Sequence, residues 1–104
     1  MEKQDAFTQA LLRAIDAAEQ EAGVRQPRLR RAVEQYGGIS AVQELCSRGQ
    51  GSDGFDRLAG LGKLALSAEA LAVSAKFNAC FTDDEVNHCF AQLCAANYFG
   101  KARF

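Results

Sequence analysis

Two stretches in the C-terminal half of the chain spell the same helix start. Leu66-Ser67-Ala68-Glu69-Ala70-Leu71 and Phe81-Thr82-Asp83-Asp84-Glu85-Val86 each set a hydroxyl residue inside an apolar pair five positions apart. The hydroxyl can accept a bond from an orphan amide of the first helical turn, and the apolar pair can clamp the entry angle as a hydrophobic staple. The second stretch is also a full capping box, because Glu85 follows Thr82 by three and can accept a bond from the Thr82 amide. Punctuation of this kind belongs to helices joined by short turns.

The rest of the chain reads the same way. From about Lys3 to Ala22, Phe7, Leu11, Ala14, Ile15, Ala18 and Ala22 recur at three-and-four spacing in an Ala- and Gln-rich background, which predicts one long amphipathic helix ended by Gly23. Pro27 suits a first helical position, and the stripe Leu29, Ala32, Val33, Tyr36 predicts a second helix stopped by Gly37-Gly38. Ser40 with Gln43 predicts a capping box opening a third helix that buries Val42, Leu45 and Cys46. A short helix is expected over Phe55–Leu61, a fifth from Ser67 to about Ala75 and a sixth from Thr82 to about Asn97. No β-branched alternation suggests a strand. The expected fold is therefore all-α, a compact bundle of five to six helices over residues 1–104 as one domain. Its core would draw on Phe7, Leu11, Ile15, Val33, Leu45, Phe55, Leu58, Leu71, Phe77, Phe81, Val86, Phe90 and Leu93.

Composition narrows the function classes. The 104 residues are 48% hydrophobic, enough for one core, and the net charge of −1 gives no global field to attract nucleic acid or anionic lipid. No uncharged apolar run approaches the roughly 18 residues of a signal or membrane segment, so a cytoplasmic location with no membrane partner is expected. The four cysteines, Cys46, Cys80, Cys89 and Cys94, sit among apolar neighbours and read as reduced core thiols.

Several patterns resemble chemistry without its context. Gly49-Gln50-Gly51-Ser52-Asp53-Gly54 fits G-x-G-x-x-G, but a phosphate cradle of that type follows a strand and opens a βαβ helix, whereas here a helix precedes it. An interhelix loop carrying a Ser or Asp cap is the better reading. His88 beside Cys89 suggests a metal, yet Cys89 and Cys94 lie about 140° apart around a helix and His88 points away from the Cys89 face, toward solvent. His88 is also the single histidine available as a base. No catalytic residue, no metal site and no cofactor is expected, and the chain is read as non-enzymatic.

Arg25, Arg28, Arg30 and Arg31 form the strongest charge feature, and guanidinium groups suit phosphate. They support the alternative of a nucleic-acid-binding regulator, although the helix that would serve as the reader, Ser40 to Arg48, has no basic face. A solvated face, or a complement to Asp16, Glu19 and Glu21 of the first helix, is the simpler role. Two surfaces suit a protein partner: the Ala-rich first helix, with Ala14 and Ala18 in its seam, and the aromatic residues Tyr98, Phe99 and Phe104.

From Tyr36 to about Tyr98 the chain resembles a group of small uncharacterised bacterial proteins and C-terminal modules. The resemblance rests on Tyr36-Gly37-Gly38, on Gly54-Phe55-Asp56-Arg57-Leu58, on Leu64-Ala65-Leu66-Ser67-Ala68-Glu69-Ala70-Leu71 and on Phe81-Thr82-Asp83-Asp84-Glu85. Those residues are caps, turns and core positions, so the resemblance implies an all-helical fold and no particular activity. Members of such groups are often carried on mobile elements, and many have an Arg-rich final helix where this chain has Asn87, His88, Gln92 and Asn97. The expected function is that of an accessory or regulatory protein acting by protein–protein interaction or self-association, a homodimer included.

Overall fold

In a computed structural model that describes residues 2–49 and 51–96, the chain forms six α-helices and two single 3₁₀ turns, with no strand among the described residues. The helices are α1 (Glu2–Ala22), α2 (Pro27–Tyr36), α3 (Gly38–Ser47), α4 (Phe55–Gly60), α5 (Ala68–Val73) and α6 (Asp83–Ala95). The 3₁₀ turns, Leu64–Leu66 and Asn78–Cys80, lead into α5 and α6. None of the described helices is long and apolar enough to cross a membrane.

The caps read from the sequence are present at α5 and α6. Thr82 Oγ1 accepts from the Glu85 amide at 3.2 Å while Glu85 Oε1 accepts from the Thr82 amide at 2.9 Å, closing the box. Ser67 Oγ accepts from the Ala70 amide at 3.1 Å and donates to the Leu64 carbonyl at 2.7 Å, which satisfies a hydroxyl that is fully buried. The fifth helix ends at Val73, short of Ala75, because Ser74 is extended and its hydroxyl bonds back to the Leu71 carbonyl.

The third helix departs from expectation. It begins at Gly38, and Ser40 caps nothing; Gln43 instead donates to Glu85 Oε1 at 3.3 Å, tying α3 to the start of α6. The reason lies in α1. Thr8 Oγ1 accepts from the Gly38 amide at 2.8 Å, so the cap comes from another helix. A Cβ on Gly38 would stand 2.9 Å from Phe7 Cδ2 and 3.0 Å from Thr8 Cα, so only glycine lets α3 approach α1 this closely.

Two apolar clusters hold the bundle. In the larger, Phe7, Leu11 and Ile15 of α1 meet Leu29, Val33, Val42, Ala72 and Cys89, and the Phe7 ring stands edge-on to Phe77 and Phe81 with centroids 5.2 Å away. The smaller gathers Ala18, Val24, Phe55, Leu58, Leu64 and Leu93. Leu45, Leu71 and Val86 are half-buried at the margin of the larger cluster. Phe90, expected inside, is 47% exposed. Cys89 and Leu93 form the buried stripe of α6, four residues apart, and Phe90 falls one residue beyond it.

Ala18 also needs correction as an interaction residue. It is fully buried in the smaller cluster and is closed to any partner, while Ala14 is half-buried on the same helix.

Candidate functional site

The loop between α3 and α4 organises the face on which α2 and α3 lie side by side. Ser52 donates from its amide to Glu69 Oε2 at 2.7 Å and from its hydroxyl to Glu69 Oε1 at 2.9 Å. Glu69 comes from the first turn of α5 and is only 2% exposed. Burial pushes its carboxyl above the ordinary range, against the opposing pull of the Ser52 bonds and of nearby His88. The next residue reaches the other way. Asp53 accepts from the amides of Arg28 at 3.0 Å and Leu29 at 3.1 Å, capping α2 from 24 and 25 residues along the chain. Gly54 follows in the left-handed region (φ +82°), where a Cβ would lie 2.7 Å from Val24 Cγ1.

This geometry explains what the glycine-rich segment does. The amides that an anion would use, at Ser52 and at the start of α2, already donate to the carboxylates of Glu69 and Asp53. The loop is a crosslink between α2 and α5. The cap expected within it belongs to Asp53 and serves α2, not the helix that follows.

Beside the loop, a groove of about 600 Å³ runs between α2 and α3. Leu29, Ala32, Ala41 and Leu45 supply its apolar lining, and Arg28, Tyr36, Ser40, Glu44, Arg48 and Asp53 its polar edge. Tyr36 is 68% exposed. The sequence places Tyr36 on the apolar stripe of α2, and its period is right, but it is the last helical residue and its ring extends past the core. Within the edge, Arg48 Nε donates to Glu44 Oε2 at 2.8 Å, one helical turn apart.

The arginine cluster divides. Arg30 is bonded to Asp16, which raises its already high pKa, and Arg25 Nε lies 3.5 Å from Glu19 Oε2. Both acids belong to α1. Arg28 lines the groove, and Arg31 is exposed outside its lining. The four guanidinium groups therefore do not form one surface.

The cysteines also separate. Cys46 of α3 and Cys89 of α6 bring their sulfurs to 3.9 Å, and Cys46 Sγ lies 3.7 Å from the Glu85 carbonyl oxygen. Cys80 is half-buried, and Cys94 is exposed, contrary to the core position expected for it. His88, expected to face solvent, is half-buried, and its nearness to Glu69 opposes the rise of that carboxyl. Among the described residues, no three groups of metal-ligating type gather at one point. Tyr98, Phe99 and Phe104 lie outside the described residues.

Comparison with protein-family models, with curated proteins and with solved structures gives no match to this chain.

Proposed function

We propose that this chain is a non-enzymatic accessory or regulatory protein that acts by binding another protein chain on its α2–α3 face. The observation that carries this reading is the groove itself, an apolar floor edged by Arg28, Arg48 and a largely exposed Tyr36. Exposed Tyr and Arg around a small apolar floor are the residue types that dominate protein interfaces. The groove's acids support binding over catalysis, since Glu44 is bonded to Arg48 and Asp53 to two backbone amides. Neither is disposed as a general base for Ser40 or Tyr36.

A nucleic-acid partner is the weaker reading. The pairing of Arg25 and Arg30 with acids of α1 leaves Arg28 and Arg31 from a cluster of four, and the groove that holds Arg28 also holds Glu44 and Asp53.

The test is site-specific photocrosslinking in the native host. A benzophenone side chain at Tyr36 should give one discrete protein adduct, and the same group at exposed Lys63, outside the groove lining, should give none. An adduct with a second copy of the chain would identify the partner as self. A nucleic-acid adduct, or no adduct specific to position 36, would overturn the proposal.

A further inference from the structure

Cys46 and Cys89 are 43 residues apart in sequence and come from different helices, yet their sulfurs are in contact at 3.9 Å. They differ in access. Cys89 is buried among the residues of the larger core, whereas Cys46 is half-buried at its margin. We propose that these two thiols form a redox-closed link between α3 and α6, in which Cys46 receives the oxidant and Cys89 resolves it.

The oxidising partner is a small external disulfide of the glutathione type. The Cys46 thiolate attacks one sulfur of that disulfide, forming a mixed disulfide and releasing one thiolate, which takes up a proton. The Cys89 thiolate then attacks the Cys46 sulfur and releases the second external thiol. In sum, two protein S–H bonds are replaced by one S–S bond, and the two electrons and two protons leave on the reduced external thiols. Closure brings the sulfurs from contact to a bond length of about 2.05 Å, a movement of roughly 1 Å for each.

Order of attack follows from burial, since an external disulfide can approach only the sulfur at the core's edge. Burial, with Glu69 and Glu85 nearby, holds both thiols above their ordinary range, so closure is slow at neutral pH and faster in alkali. The closed link would span the α3–α4 loop, α4 and α5, fixing the segment that carries Ser52 and Asp53 between two tethered helices. By loop-closure entropy it would shift the unfolding equilibrium toward the native state by on the order of a thousand-fold.

The experiment titrates the fully reduced protein with glutathione disulfide under native conditions at low micromolar concentration. Free thiols are then blocked and the peptides mapped. A Cys46–Cys89 linked peptide should appear, disappear with dithiothreitol, and accompany a higher urea midpoint. Cys89→Ala should leave glutathione trapped on Cys46, and Cys46→Ala should leave Cys89 unmodified, each variant being checked for native helicity. The wild-type map decides the matter even where a variant fails to fold. Glutathione persisting on Cys46 of the wild type, modification confined to Cys94, or linkage appearing only in urea that unfolds the chain would overturn the proposal.

Discussion

Glu69 puts a carboxyl group where water does not reach, and that burial makes its contribution to stability depend on pH. Its carboxyl is raised by burial, so the native chain holds the proton more tightly than the unfolded chain does. Its contribution to stability is therefore fully present below the ordinary value of 4.5 and is lost as pH rises through the raised value. Glu69→Gln does not titrate. Urea midpoints taken between about pH 4 and pH 8 should show wild type losing ground to Glu69→Gln as pH rises, and parallel curves would refute the assignment. Gln26 presents the opposite case, an amide 3% exposed whose nitrogen and oxygen find no hydrogen-bond partner among the described residues. Gln26→Met keeps the length of the side chain and removes both orphaned groups. It should stabilise the fold by about 1 kcal/mol or more, read as a rise in the urea midpoint.

At the scale of elements, what is legible in the sequence is what is local in it. Pro27, Ser67 and Thr82 each lie within three residues of the group that reveals their role, and each marks the helix boundary it suggests. Ser40 and Gln43 have the same spacing but set no boundary, because the start of α3 is decided by Thr8 and by the close approach of Gly38 to α1, 30 residues away. The bonds that build the candidate site, Asp53 to α2 and Glu69 to Ser52, are likewise long-range and leave no periodic signal. The G-x-G-x-x-G spacing points to the right loop for a reason unrelated to phosphate. Both kinds of cap can be weighed by one pair of substitutions. Thr82→Ala should cost about 1 kcal/mol through the α6 box, and Asp53→Ala a similar amount through α2. If Asp53→Ala left the urea midpoint unchanged, the loop would not be holding α2.

At the scale of the whole molecule, three arginines among the described residues meet carboxylates of the same chain. The net charge is −1, α1 supplies Asp16 and Glu19 to Arg30 and Arg25, and α3 supplies Glu44 to Arg48. Such exposed pairs add little to stability, but they lower the local positive potential that a phosphate backbone would need. This sets apart the two partner classes, because a duplex-binding protein releases counterions for each phosphate it neutralises and its affinity falls steeply with salt. With Arg28 and Arg31 left from the cluster, any residual binding should engage at most about two phosphates, a slope near −2 in log K against log salt. Titration of labelled duplex DNA by fluorescence anisotropy should accordingly give weak binding even at low salt. Asp16→Ala and Glu19→Ala together should strengthen that binding and steepen the slope, because they release Arg30 and Arg25 from their partners on α1. Tight, steeply salt-dependent binding by the unmodified protein would instead move the functional surface from the α2–α3 groove to the arginines at and just before α2.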